Sequence, residues 1–389
     1  MTIVAVISTE GPLLAAVPWG RGGRSGRRGS GAWKERRGLR RDRPPTLPAM
    51  QWSDVLGKLT AGADLDRAEA RQAMAEIMSG SATPAQIAAF IVALRIKGES
   101  VDEMTGLVEA MRDAAVTVDV GVDVIDVVGT GGDRLGTFNI STTAALISAA
   151  AGAVVAKHGN RSISSQCGSA DVLEGLGMNI EMEPAAMVSL IRETGFGFFF
   201  APRYHPAMRH AGPVRKDLGI PTVFNFLGPL ANPANARRQS VGVSDARMAE
   251  RMIGVLAHLG SEYAFVVHGE DGLDEVTTTG PTYIYRLKDG EITHAEFTPE
   301  DFGVQRASLD DLKGGGVETN VAITRAILAG EPGPKRDAAV VNAAPAMVAA
   351  GLARGFVEAV DRAYEVIDSG RVSELLESVV QRSRELGAG

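Results

Sequence analysis

Apolar positions along the chain change their period twice. From 51 to 115 the spacing is helical, most clearly in the run Ala85 to Ile96. Thr83-Pro84 reads as an N-cap followed by proline at the first helical position. Ser100 and Glu103 form a capping-box pair before the next helix. From Val122 onward, short β-branched runs alternate with helical ones, the pattern of an α/β domain. Val122–Val128 reads as a buried strand, Ala144–Ala151 as a helix, Ala153–Ala156 as a second buried strand and Tyr263–His268 as another. Residues 337–387 return to helix, Ala-rich over Ala338–Ala353 and amphipathic over Phe356–Ile367.

The polar residues between these runs carry the chemistry. Gly129-Thr130-Gly131-Gly132-Asp133 follows the first strand, and glycines there let a backbone approach a ligand closely. Asn139, Ser141 and Thr142 open the next helix, whose free N–H groups suit an anion. The second strand delivers Lys157-His158-Gly159-Asn160-Arg161-Ser162 to the same edge of a parallel sheet, where open α/β folds bind ligands. Three phosphate-ready elements in series predict a substrate with more than one phosphate. Neither common phosphate loop fits. Gly131 and Gly136 have P-loop spacing, but Thr137 and Phe138 stand where Lys-Ser/Thr belongs. Arg134 stands where a dinucleotide fingerprint needs its third glycine. A ligand-free glycine turn is the alternative reading of this loop taken alone.

Charge sharpens the picture. The 389 residues carry a net −7, but residues 1–49 hold 10 Lys/Arg against 3 Asp/Glu, so the remainder is net −14. An acidic body argues against nucleic acid as a partner, and an anionic substrate then needs local cations. Glu270, Asp271, Asp274 and Glu275 crowd four acids into six residues, which calls for a neutralising cation or free solvation. Oxygen ligands of this kind suit Mg²⁺. Arg215 lies in a basic stretch, Arg209–Lys216, and a guanidinium there can pair bidentately with a carboxylate. Cys167 is the single cysteine, so no intrachain disulfide forms and a cytoplasmic setting is expected. No apolar run is long enough to span a membrane. Residues 1–49, with Gly20–Ser30 of low complexity and Pro44, Pro45 and Pro48 behind it, read as a disordered extension or as sequence ahead of a true start at Met50.

Taken together, GTGGD (129–133), TFNIST (137–142), KHGNRSISS (157–165), GSADVLEGLG (168–177), VRKDLGIPTVFNFLGPLANP (214–233) and HGEDGLDEVT (268–277) resemble the anthranilate phosphoribosyltransferase family of tryptophan biosynthesis. The resemblance covers roughly residues 50–389. It implies a small helical domain, 50–115 with a segment near 206–230, and a larger α/β domain, 116–205 and 231–389, with a mostly parallel sheet. It implies transfer of the phosphoribosyl group of phosphoribosyl pyrophosphate to the amine of anthranilate, without a general base or covalent intermediate and therefore without a catalytic residue as such. The donor would be bound by Gly129, Gly132, Asp133, Thr137, Asn139, Ile140, Ser141, Thr142, Lys157, His158, Gly159, Asn160, Arg161, Ser162, Ile163, Ser164, Ser165 and Ser169. Anthranilate would meet Gly129, Asn160 and Arg215. Two Mg²⁺ ions per site would be held by Ser141 and by Asp274 with Glu275. A homodimer through the helical domain is also implied. His205 and His210 are left unassigned, and Cys167, where the family usually has serine, reads as packing rather than nucleophile. A nucleoside phosphorylase of the same fold is the rival enzyme, and a non-catalytic scaffold the third reading. Because residues 2–49 lack any core-forming pattern, their removal is expected to leave the melting temperature nearly unchanged. A fall of many degrees in a thermal scan would contradict this.

Overall fold

The computed structural model describes residues 15–16, 50–162 and 166–387. Most of the expected N-terminal extension therefore lies outside the described residues. Four helices come first: α1 (Trp52–Thr60), α2 (Arg67–Ser79), α3 (Pro84–Lys97) and α4 (Val101–Asp113). Capping boxes start three of them, at Asp66/Glu69, Thr83/Gln86 and Ser100/Glu103. Each box satisfies N–H groups that the helix itself leaves unpaired. Glu103 also ties the helices together. Its buried carboxylate accepts the N–H groups of Leu65 (2.9 Å) and Ser100 (2.8 Å) and the ammonium of Lys97 (2.9 Å), which reaches Asp64 as well.

The α/β part runs β2 (Ile125–Gly129), α5 (Ile140–Ala150), β3 (Val155–Gly159), α6 (Ser169–Leu176), α7 (Pro184–Thr194) and β4 (Phe196–Phe200). A crossover then carries three short helices, α8 (Ala201–Tyr204), α9 (Gly212–Leu218) and α10 (Phe224–Leu227). It returns through β5 (Arg238–Gly242), α11 (Ala246–His258), β6 (Tyr263–Gly269), β7 (Thr282–Lys288) and β8 (Glu291–Phe297). The chain closes with α12 (Val317–Leu328), α13 (Pro334–Ala349), α14 (Phe356–Asp368) and α15 (Arg371–Gly387). A two-residue strand, β1 (Ala15–Ala16), pairs antiparallel with β8. The sheet order is β1-β8-β7-β6-β5-β2-β3-β4, with β2 to β6 parallel and the β6–β7, β7–β8 and β1–β8 pairs antiparallel.

The sheet divides two apolar cores. Strand side chains alternate faces, so Val127, Phe265 and Val267 pack under α5, α6, α7 and α12–α15. Val128, Val241, Ala264 and Val266 face the other way, into one cluster with α1–α4, α11 and the crossover residues Ala211, Val214, Val223, Phe224, Leu227 and Leu230.

Three boundaries differ from the sequence reading. The first strand begins at Ile125, and Val122 is 54% exposed, because Asp123 precedes the paired stretch and the apolar run starts ahead of the sheet. The helix after it starts at Ile140, where the polar Ser141-Thr142 lie inside its first turn. The second strand spans Val155–Gly159, so Lys157 and His158 are strand residues instead of loop residues. Glu103→Ala is expected to cost roughly 3 kcal/mol, the scale for breaking a buried ion pair, with Glu103→Gln losing less. Urea denaturation checks this, and a change below about 1 kcal/mol would show the cluster to be solvated.

Candidate active site

Parallel strands bring three glycines to one edge: Gly129, Gly159 and Gly242 end β2, β3 and β5. Gly129 and Gly242 are register partners. A Cβ at Gly129 would run into the Asp274 carboxylate, and one at Gly242 into the Asp274 carbonyl. The bare pair thus lets the acidic turn after β6 lie across the strand ends. The loop from Thr130 to Phe138 is pinned at both ends. Thr130 donates to the Gly242 carbonyl (2.9 Å), Gly314 donates to Gly136 (2.9 Å), and Phe138 donates to Leu312 (3.1 Å). Thr137 is drawn into a bridge with Lys313. Gly131, Gly132 and Gly136 have positive φ, as does Arg134 at 60°. Arg134 therefore takes up a left-handed turn that glycine would occupy without strain.

Two carboxylates accept backbone N–H groups here. Asp274 accepts the Gly131 N–H at 2.6 Å, and Glu275 accepts the Ser141 N–H at 3.1 Å, at the first turn of α5. Burial, followed by the charge of Asp133, pushes Asp274 up to about 6. Burial and the charge of Asp274 push Glu275 well above its ordinary value. Asp133 is raised too, by burial foremost, with Asp271 adding repulsion. Lys157 faces this group. It is buried, and its ammonium donates to the Val127 carbonyl and to the Ser141 hydroxyl at 3.4 Å. Burial lowers its pKa against the pull of Asp126, Glu275 and Asp274. Crowded, desolvated oxygen donors are the set that a hard divalent cation favours. Among the described residues no group of three or more His, Cys, Asp or Glu is arranged to hold a metal by itself. An ion here therefore needs further oxygens from a hydroxyl, water or a bound phosphate.

The structure brings Gly129, Asp133, Ser141, Lys157, Asp274 and Glu275 together through these contacts. Gly132 is exposed on the loop. Ile140 and Thr142 are buried, so only their backbone can serve a ligand at the helix start. Asn139 is occupied structurally, donating to the Cys167 carbonyl (3.1 Å) and accepting from Asn320 (2.8 Å). His158 is buried, with Nδ1 against the Gly228 carbonyl (3.2 Å) and its ring 5.0 Å from that of His205. Burial, then His205, pulls it down to about 3, so it is neutral. Gly159 leaves room for the Ser169 hydroxyl, which donates to the Asn160 carbonyl. Arg161 is committed to Glu174 and Asp171, and Asp171 also accepts the N–H groups of Ser162 and Gly168. Ile163, Ser164 and Ser165 lie outside the described residues.

Arg215 stands apart on α9. It is half-buried, its guanidinium lies 5.2 Å from the Phe224 ring centre, and burial lowers its pKa. Among the described residues no carboxylate pairs with it. Arg209 and Lys216 of the same stretch are exposed. His210 packs against Gly80 at the end of α2. Sequence reasoning missed Gly242, Asp126, Asp171, Asn232 and Asn320. The Gly129/Gly242 pairing is a register fact, the partners of Asp126, Asn232 and Asn320 lie far along the chain, and Asp171 binds the loop just ahead of its own helix.

Residues 121–373 match the model of the glycosyl transferase family, a/b domain, and residues 53–115 that of the glycosyl transferase family, helical bundle domain. The anthranilate phosphoribosyltransferase of Chloroflexus aurantiacus is 51% identical over 337 residues, 86% of this chain and 99% of its own. That of Moorella thermoacetica is 52% identical over 326 residues, 84% of this chain and 96% of its own. The crystal structure of anthranilate phosphoribosyltransferase from Thermus thermophilus superposes with a TM-score of 0.80 at 43% identity, over 85% of this chain and 99% of that one. The Saccharomyces cerevisiae enzyme in complex with PRPP and Mg gives 0.79 at 27% identity, over 86% and 98%.

Burial, helped by the Asp171 charge, raises the Cys167 thiol to about 11. At pH 8 only about 0.1% would be thiolate, against roughly a quarter for a free cysteine. A chromogenic disulfide is therefore expected to react slowly in the folded protein, with a rate still climbing above pH 9. Rapid labelling at pH 7 would contradict the buried, unactivated thiol.

Proposed function

The chain belongs to the anthranilate phosphoribosyltransferases, and from that premise we propose how its own residues divide the work. The reaction transfers the phosphoribosyl group of phosphoribosyl pyrophosphate to the amine of anthranilate, giving N-(5-phosphoribosyl)anthranilate and pyrophosphate, in tryptophan biosynthesis. The observation that carries the reading for this chain is the junction of the Gly131 and Ser141 N–H groups with Lys157, Asp274 and Glu275 at one strand edge.

The aromatic amine is a neutral nucleophile, so the protein's task is alignment and charge stabilisation. Backbone N–H groups of the 129–133 loop and the start of α5 bind the pyrophosphate oxygens. Lys157 has three donors, two of them engaged by Val127 and Ser141, and turns the third to a phosphate oxygen. Arg215, held over Phe224 and free of an internal acid, takes the anthranilate carboxylate. Asn160 and Gly129 border the acceptor. The donor set fits Mg²⁺, with one ion at Ser141 and a second at Asp274 and Glu275. Bound there, Mg²⁺ supplies electrostatic stabilisation of the departing pyrophosphate. The remaining donor contacts are those of Gly132, Asp133, Thr137, Asn139, Ile140, Thr142, His158, Gly159, Arg161, Ser162, Ile163, Ser164, Ser165 and Ser169. Helices α1–α4 with the crossover form one domain and the remainder the other. A homodimer forms through the helical domain, where Ile96 of α3 is 81% exposed. The enzyme works in the cytoplasm, and no helix among the described residues is long and apolar enough to cross a membrane.

Purified protein with phosphoribosyl pyrophosphate, Mg²⁺ and anthranilate should extinguish anthranilate fluorescence. Full activity in excess EDTA would remove the metal assignment. Arg215→Ala should raise the KM for anthranilate roughly ten- to a hundredfold, the worth of one charge-assisted hydrogen bond, and leave that for the donor nearly unchanged. Equal effects on both would contradict its role. Asp274→Asn with Glu275→Gln should abolish most of the rate yet leave the melting temperature intact or raised, since two buried, mutually repelling acids are neutralised.

A further inference from the structure

Asp126 is the second residue of β2 and is fully buried. One of its oxygens accepts the N–H of His158 on β3 at 3.1 Å, and the other accepts the side-chain amide of Asn232 at 2.7 Å. Asn232 uses its second N–H on the Ala156 carbonyl (2.8 Å) and its oxygen on the Ala234 N–H (2.8 Å). That stretch, 228–235, is where the crossover bearing Arg215 returns to the sheet. The helical side holds the same stretch, for Arg112 of α4 donates to the Leu230 carbonyl and to Asn235. Just upstream, the Gly228 carbonyl takes Nδ1 of His158. A carbonyl accepts only, so His158 is the Nδ1–H tautomer.

We propose that Asp126 is a positioning residue for the transfer: by gripping Asn232 and the His158 N–H together, it fixes the 228–235 stretch, and through it Arg215, against the phosphate-binding strand edge. The inference rests on the functional reading above. Two N–H donors converge here from different segments, and only a carboxylate offers each its own acceptor; an asparagine has one oxygen and one NH₂. Burial pushes the acid up to about 6, and its bonds to these two donors are what hold a carboxylate at this point. What it secures is relative placement. In the reading above, Arg215 holds the acceptor from the crossover while the donor lies on the strand edge, and small misplacements of reacting partners are costly in rate.

Steady-state kinetics of Asp126→Asn and Asn232→Ala test this. Asp126→Asn and Asn232→Ala should each raise the KM for anthranilate about tenfold or more, with the KM for phosphoribosyl pyrophosphate within about threefold. If Asp126→Asn does not fold, Asn232→Ala carries the test, since it leaves the β2–β3 contact in place. Both KM values rising together, or a fall in stability with unchanged anthranilate KM, would overturn the proposal. Nitrogen-15 NMR of the His158 ring provides a readout independent of turnover. Asn232→Ala should shift the ring from a single Nδ1–H tautomer to a mixture, and an unchanged ring would count against the proposal. Failure of the wild type to consume anthranilate would instead sink the functional reading, with the NMR result still deciding the role of Asp126.

Discussion

The site depends on a place where no side chain is allowed. Gly129 and Gly242 face one another on adjacent parallel strands, and the Asp274 backbone and carboxylate fill the space that their Cβ atoms would take. Remove that clearance and the acidic turn must lift off the strand ends. Its bonds to Gly131 and Ser141 would go with it. The glycine loop, the start of α5 and the acids are thus one unit, assembled by steric permission more than by attraction.

Attraction alone would not assemble it. Asp133, Asp274 and Glu275 repel one another in a desolvated site, with Lys157 as the facing cation, and the α/β body is acidic besides. Such an arrangement is electrostatically poised: a divalent cation and a polyphosphate relieve it together, whereas an anion alone meets like charge. The neutral His158 and the unactivated Cys167 fit the same chemistry, since neither is set up to remove a proton or attack a carbon.

The residues proposed for the two substrates belong to different cores. The strand edge proposed for phosphate belongs to the sheet, while Arg215 belongs to the crossover packed with α1–α4 on the sheet's other face. The alternating strand residues Val127 and Val128 touch one core each, so the sheet is the shared wall. Polar residues weld the returning stretch to that wall from both sides, Asp126 and His158 from the sheet and Arg112 from α4.

Local chemistry was legible in the sequence. The N-cap at Thr83, the capping box at Ser100, the glycine loop after a β-branched strand, and the acid pair at 274–275 are each written within a few residues, because caps, turns and charge crowding are short-range effects. The motifs also carried the family. Strands β4, β5, β7 and β8 were not legible. Phe-Gly-Phe-Phe-Phe and Arg-Gln-Ser-Val-Gly lack a clean alternation, and only pairing with neighbours makes them strands. Nor could the sequence show that Val122 stays outside the sheet, or that Lys157 and His158 lie inside a strand. Tertiary structure alone decided the Gly129/Gly242 register, the burial of Asp126 and its grip on Asn232, 106 residues away. Those are contacts between segments that periodicity treats separately, and their partners are chosen by how the sheet and crossover close in space.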